Sequence, residues 1–283
     1  MEIKLVAVDL DGTLLKDDKT LSKGTIAAVA QAAAHGVEVA LATGRTLREF
    51  TQLLRLLPDV HYAVACTGAS VVDCRTGREL HQEPLSAETL REAWRRLREF
   101  DVLFEVFQDG KILVDEEKMP CLGDYMAASR NPGLPGTRSG KGDFDRWLET
   151  QDRPAAKVHM FFRDTETRDK AWDAVRDLDA LICCSDHVDL EIMARGVDKG
   201  TGLGWLASYL QIRREEVMAV GDSGNDLGML EYAGVKAVMG NASPELRAMA
   251  DLVADTKERD GVAKLLEELL AGRLSMPVVG PLQ

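Results

Sequence analysis

The sequence predicts an α/β protein in which a parallel-sheet core, covered by helices on both faces, is interrupted by an inserted α+β domain. Three observations predict it. Short apolar runs alternate with helical patterns from residue 3 to about 83 and again from about 189 to 270, which is the rhythm of a parallel sheet. Four of the apolar runs end in segments rich in Asp, Thr, Lys and Gly, where open parallel sheets place their ligand sites. Between these stretches lies a long insert with folding signals of its own and no such segment. The expected domains are therefore 1–83 with 189–283 as the core, and 84–188 as the insert.

Leu5-Val6-Ala7-Val8 reads as a buried strand, and it delivers Asp9-Leu10-Asp11-Gly12-Thr13 at its carboxyl end. The period of two points both carboxylates the same way. Two acids in one small site repel unless a cation neutralises them or one keeps a proton. A hard metal with oxygen ligands suits them. Asp9 is then the candidate nucleophile, since a carboxylate can attack phosphorus, and Asp11 the candidate proton donor. A strand running into a solvated Asp-rich turn would read in the same way.

The pattern Ile26, Val29, Ala30 and Ala33 is helical, and a second strand, Val37 to Ala42, runs into Thr43-Gly44-Arg45. A Thr hydroxyl and the amides after it make a phosphate cradle, more so if the helix from Leu47 points its positive end there. A Thr-Gly turn without function is the plain alternative.

In the insert, Leu90, Trp94, Leu97 and Phe100 form an amphipathic helix. Phe104 to Phe107 and Ile112 to Val114 flank Asp109-Gly110, a strong hairpin signal. The stretch Asn131 to Gly142 carries too many Gly and Pro residues for regular structure and is expected to be a loop. A second half follows: strand Val158 to Phe162, a helix through Ala171, Trp172 and Val175, and strands at Leu181 to Cys184 and Val188 to Ile192.

Val197-Asp198-Lys199-Gly200 precedes the helical pattern Leu203, Leu206, Ala207 and Leu210. Lysine is unfavourable at a helix amino end because the macrodipole prefers anions there. Contact with a phosphate and with Asp9 would give Lys199 a reason; a surface lysine is the alternative. Val217 to Val220 reads as another buried strand, ending in Gly221-Asp222-Ser223-Gly224-Asn225-Asp226 before a helix through Leu227, Met229, Leu230 and Tyr232. Asp222 is placed as a further metal ligand, with Asn225 and Asp226 within reach of the metal or its waters. Helix capping explains one such acid more easily than three.

Taken together, Asp9 to Thr13, Ala42 to Arg45, Asp198-Lys199-Gly200 and Gly221 to Asp226 resemble, in order, the motifs of the Cof-type haloacid-dehalogenase-like phosphatases, over residues 3 to about 270. The resemblance implies a three-layer Rossmann-like core with an inserted α+β cap of the larger, type IIB kind. It implies Asp9 as nucleophile, Asp11 as general acid and base, and Thr43, Gly44 and Lys199 as the phosphoryl-binding residues. It implies magnesium held by Asp9, the main-chain carbonyl of Asp11, and Asp222, with Asn225 as a neighbouring ligand, orienting group or phosphate contact. One departure is Thr67-Gly68-Ala69, where relatives usually carry Asn-Gly-Ala near the substrate. The implied reaction is Mg2+-dependent hydrolysis of small phosphomonoesters, sugar phosphates or phosphorylated cofactors, through an aspartyl-phosphate, with the cap setting specificity. A phosphomutase of the same superfamily and a catalytically silent metabolite-binding protein are the alternatives.

Composition fits that reading. With 35 basic and 47 acidic side chains the net charge is -12, which repels nucleic acid and anionic membranes. Cys66, Cys74, Cys121, Cys183 and Cys184 lack metal-ligand spacing and read as buried free thiols of a reducing compartment. His35, His61, His81, His159 and His187 are scattered and suggest structural or surface roles. No apolar stretch approaches the length of a membrane span, and no signal-peptide pattern opens the chain. A cytoplasmic location, a monomer or weak homodimer, and a loose tail from Leu274 to Gln283 are expected.

Overall fold

The apolar run that opens the sequence is β1 (Leu5–Val8), buried at every residue, as a strand covered on both faces must be. The computed structural model describes residues 2–127 and 135–274. In it β1 lies between β2 (Glu38–Ala42) and β12 (Val217–Gly221), parallel to both. The sheet continues through β3 (Tyr62–Ala65), β4 (Ser70–Asp73) and β5 (Arg78–Gln82) on one side. On the other it continues through β13 (Val235–Val238) and β14 (Leu252–Val253). Its order is β14-β13-β12-β1-β2-β3-β4-β5, parallel up to β3, with β4 antiparallel to β3.

Both faces are covered. Leu5, Ala7, Ala40 and Ala42 on one face pack with Leu203, Leu206 and Ala207 of α7 (Lys199–Tyr209) and with Met229 and Leu230 of α8 (Leu227–Tyr232). Val6, Val8, Val39 and Leu41 on the other are equally inaccessible, and α1 (Lys23–Ala34) there packs against β2 and α10 (Gly261–Leu270). The short α9 (Pro244–Ala248) starts on a Ser243 cap with proline at its first turn. The chain thus divides at β1, with β2 to one side and β12 to the other, which is the switch point where doubly wound sheets leave a crevice.

The chain separates into two units. One holds the described residues up to Gly44, Thr51–His81, and those from Asp198 on; the other holds Arg45–Phe50 and the described residues within 82–197. α2 (Leu47–Leu54) begins in the short segment assigned to the second unit. The first unit resumes at Asp198 rather than at 189, because β11 (Asp189–Ala194) is hydrogen-bonded to β9 (Lys157–Phe162) and β10 (Ala180–Cys183).

The second unit is a six-stranded sheet of order β10-β11-β9-β6-β7-β8, with β6 (Val102–Gln108), β7 (Lys111–Asp115) and β8 (Arg138–Lys141). The Asp109-Gly110 turn joins β6 to β7 with φ of 53° and 68°, the left-handed pair a two-residue hairpin needs. One face carries Val102, Phe104, Val106, Val158, Met160, Phe162, Leu190 and Ile192. These pack with α3 (Ala87–Leu97), α5 (Phe144–Glu149) and α6 (Thr165–Val175). A short α4 (Leu122–Met126) contacts β6 and β9. The expected loop from Asn131 to Gly142 is corrected in its second half: Arg138–Lys141 is a strand parallel to β7. As the last strand of the sheet it tolerates its glycine, and Glu105 anchors it through Arg138. Asn131 to Leu134 and all but the first residue of the expected tail lie outside the described residues.

Among the described residues no helix is long and apolar enough to cross a membrane. All five cysteines are free thiols, but only Cys66 is fully buried; the others are partly exposed.

Candidate active site

The register of the first sheet assembles the site. Val8 lies opposite Leu41 of β2 and Val220 of β12, so Asp9 leaves β1 level with Ala42 and Gly221. Thr43 on one side and Asp222 on the other follow one residue later. Asp9 is 4% exposed and Thr43 1%, so these polar groups occupy the interior of the sheet's carboxyl edge.

Lys199 is the centre of the cluster. It starts α7, where Asp198 caps the helix through the Thr201 amide. Its fully buried ammonium donates to Asp9 Oδ1 at 2.6 Å, to Asp226 Oδ1 at 2.7 Å and to Asn225 Oδ1 at 3.2 Å. An α7 cap that accommodates a lysine at the amino end is thus accompanied by two carboxylates, which offset the unfavourable dipole. The helix can come this near because Gly200 abuts the Gly228 carbonyl of α8, where an added Cβ would fall 2.2 Å from the oxygen.

Asp226 uses its other oxygen to hold the loop after β12, accepting from the Asp222 amide at 2.9 Å and the Ser223 amide at 3.0 Å. Asp222 faces Gly12: a Cβ on Gly12, whose φ is 96°, would lie 2.3 Å from Asp222 Oδ2. Only glycine allows the two loops to meet there. The Thr13 hydroxyl donates to Asp222 Oδ1 at 3.0 Å, and Asn241 Nδ2 donates to the Gly12 carbonyl at 2.9 Å. Oxygens of Asp9, Asp222 and Asp226 all lie within 4.8 Å of one another.

Three carboxylates therefore share a buried site with one ammonium. Burial pushes the Asp9 carboxyl well above its ordinary value; Lys199 opposes the rise, while Asp226, Asp222 and Asp11 add to it. Asp222 is pushed up to about 6 by burial and by Asp226. Burial works against the charge on Lys199, but Asp226 and Asp9 together hold its pKa above the ordinary lysine value. The surplus charge is negative, and all the donors are oxygens, which is the chemistry a hard divalent cation fits. Asp9 and Asp222 suit it best, since both oxygens of Asp226 already accept from Lys199 and from backbone amides.

Asp11 has a partner outside this trio. Its carboxylate accepts from Lys19 Nζ at 2.9 Å. Asn225, expected near metal or phosphate, accepts from Lys199 and from the Ser223 hydroxyl at 2.9 Å. Thr67 lies in a turn where Cys66, Thr67 and Gly68 have φ of 50°, 58° and 102° in succession. Its amide donates to the Thr43 carbonyl at 3.0 Å, and a Cβ on Gly68 would fall 1.9 Å from the Asp198 carbonyl oxygen. The turn thus wedges between the Thr43 strand end and the Lys199 helix. A β-branched residue is unusual at such a φ, so the Asn-to-Thr departure has a backbone cost as well as a chemical one.

Several partners escape the sequence reading: Thr13 as donor to Asp222, Asp226 as anchor of Lys199, and Lys19 on Asp11. Spacing does not announce any of them, because each depends on how two loops face each other. A model of the haloacid dehalogenase-like hydrolase family matches residues 6–266. The chain belongs to this family. It is 30% identical over 288 residues to the phosphatase YwpJ of Bacillus subtilis, covering 95% of this chain and 100% of that one. It is 31% identical over 279 residues to 5-amino-6-(5-phospho-D-ribitylamino)uracil phosphatase YitU of the same organism, covering 95% and 98%. A solved structure of a haloacid dehalogenase-like hydrolase from B. subtilis superposes with a TM-score of 0.83 at 28% identity, covering 94% of this chain and 100% of that one. The Cof-type resemblance and the α/β fold read from the motifs are thus shown, and the relatives' names agree with the phosphatase class.

Proposed function

We propose that this protein is a Mg2+-dependent phosphatase that hydrolyses small phosphomonoesters through an aspartyl-phosphate on Asp9. The observation that carries the reading is the buried Asp9–Lys199 contact inside a cluster where carboxylates outnumber ammonium groups. Asp9 and Asp222, with the main-chain carbonyl of Asp11, would hold the cation, which neutralises the phosphoryl oxygens and the attacking carboxylate. Asp9 attacks phosphorus in line, and Asp11 protonates the departing alkoxide. Asp11 then takes a proton from the water that hydrolyses the aspartyl-phosphate. Thr43, the Gly44 amide and Lys199 hold the transferring oxygens, and Asn225 steadies Lys199. The second unit acts as the cap that selects among phosphomonoesters. The ribitylamino-pyrimidine phosphate in the name of YitU puts phosphorylated cofactor precursors beside sugar phosphates as candidate substrates. Five free cysteines accord with work in the reducing cytoplasm.

The test is a phosphate-release screen over a metabolite panel with Mg2+, followed by rapid acid quench of the best substrate. The expected product is a chain heavier by one phosphoryl group, on the peptide that bears Asp9. Turnover with no phosphorylated chain, or with the label on another residue, would overturn the mechanism.

A further inference from the structure

The two aspartates of the first motif have different partners: Asp9 is held by Lys199, while Asp11 is held by Lys19, whose Nζ lies 2.9 Å from Asp11 Oδ1. Lys19 lies in a short connection that returns the chain on itself. The Lys19 amide donates to the Lys16 carbonyl at 2.9 Å, and the Lys16 amide to the Thr20 carbonyl at 3.1 Å. This is a three-residue hairpin connection, and its last residue takes the left-handed conformation that favours Gly or Asn. Here that residue is Lys19, with φ of 61°. A lysine at that place gives up backbone ease and gains a side chain directed at Asp11.

The connection is also fixed from outside and from within. Lys257 pairs with Asp17 at 2.7 Å, the Asp17 amide donates to Glu258 Oε1 at 2.8 Å, and Asp18 Oδ1 accepts from the Thr20 amide at 3.0 Å. The lysine is therefore presented by a braced turn, not by a wandering surface arm. With side-chain exposures of 30% for Lys19 and 16% for Asp11, the pair adds little to stability, so stability does not account for the strained residue.

Resting on the phosphatase reading above, we propose that Lys19 is a positioning residue for Asp11, holding its carboxylate by Oδ1 for the second chemical step. In that step a water O–H bond breaks and its proton passes to the Asp11 carboxylate. The water oxygen forms a bond to phosphorus as the bond from phosphorus to Asp9 breaks, and its electron pair returns to the Asp9 carboxylate. Without the Lys19 contact, the Asp11 carboxylate, two residues from Asp9, would be more open to the pull of the same cation and less well aimed at the water.

The experiment labels the full-length enzyme with a 32P-phosphomonoester and Mg2+, then chases with excess unlabelled ester and follows loss of label from the chain. Lys19→Met is expected to slow the decay by about tenfold, a part of what a complete general base contributes. It is expected to raise the steady-state fraction of phosphorylated chain while lowering kcat/KM for an activated aryl phosphate far less. Lys19→Arg, which keeps the cation, is expected to recover most of the decay rate. Decay at the wild-type rate in Lys19→Met, or a proportional fall in labelling, kcat and kcat/KM with no slower decay, would overturn the role of Lys19 alone. Failure of the wild-type chain to become labelled would overturn this role together with the phosphatase mechanism.

Discussion

Among the described residues, the first unit leaves Asp222 without a cationic partner beside the one ammonium that Asp9 and Asp226 share, whereas in the second Glu105, Glu49, Glu191 and Asp189 each have an arginine, lysine or histidine partner. On the face of its sheet opposite the helices, Arg138 makes a two-pronged contact with Glu105, at 2.8 and 3.0 Å, and reaches Glu49 at 3.4 Å. Lys157 pairs with Glu191 at 2.6 Å, and His159 with Asp189 at 3.0 Å. The register lines up Glu191, His159 and Glu105 across β11, β9 and β6. Among the described residues both regions contain three side chains with metal-ligand spacing, Asp9, Asp222 and Asp226 in one and His159, Asp189 and Glu191 in the other. Their surroundings separate them. Glu191 already holds a buried ammonium, and Asp189 accepts from the Ser185 and Asp186 amides, both at 2.9 Å. Carboxylates that each have a basic side chain beside them fix a structure, and a carboxylate left without one calls for a cation and can do chemistry with it.

The contrast is sharpened most by Asp9→Asn. The amide keeps the shape but cannot form the aspartyl-phosphate, so kcat should fall by more than about a thousandfold, with circular dichroism unchanged. Activity within tenfold of wild type would remove Asp9 from the mechanism. Next in size is removal of the cation. Exhaustive chelation should abolish phosphate release and Mg2+ should restore it, together with a rise in Tm, because a ligand that binds only the folded surplus of carboxylates stabilises it by mass action. Full activity in chelator would break the comparison.

In the second unit the expected effect is on stability. Arg138→Met strands Glu105 and Glu49 without their cation and should cost about 3 to 5 kcal/mol in denaturant unfolding. Adding Glu105→Leu should return a good part of that loss. A single variant as stable as wild type would mean that the matched pairs contribute no constraint.

The smallest expected effect is a stability difference that grows with pH and changes sign with Mg2+. The folded-state value of Asp222 is raised from the ordinary 3.8 to about 6, so its favourable contribution is present in acid and is lost as pH rises through that window. In chelator, Asp222→Asn should match wild type near pH 4 and exceed it by about 2 to 3 kcal/mol above pH 6.5. With Mg2+ the order should reverse, since wild type then uses the carboxylate as a ligand. Thermal unfolding of both proteins across that range, with and without Mg2+, measures it.

The sequence by itself determined three strands at the centre of the first sheet, Leu5 to Val8, Val37 to Ala42 and Val217 to Val220, and the motifs that follow them; the Lys199 motif instead starts α7, after β11 of the second sheet. Apolar runs such as Val217 to Val220 admit only a strand covered on both faces, and the turns after them must carry the polar residues. It also determined the hairpin at Asp109-Gly110, because two left-handed residues in a row leave few choices. The anomalous Lys199 was visible too, since a lysine at a helix amino end contradicts the local rule. Apart from the Lys199–Asp9 contact, the tertiary structure alone decided which groups meet. Glu105, Lys157 and His159 alternate with apolar residues as a solvent-facing side would, yet Glu105 and Lys157 are buried, because partners from other strands and loops neutralise them. Arg138 made a strand of a segment whose glycines predicted a loop, since an ion pair from a distant strand outweighs local propensity. Asp226 on Lys199 and Lys19 on Asp11 likewise join residues by loop packing, and no periodicity in the chain encodes the meeting of two loops.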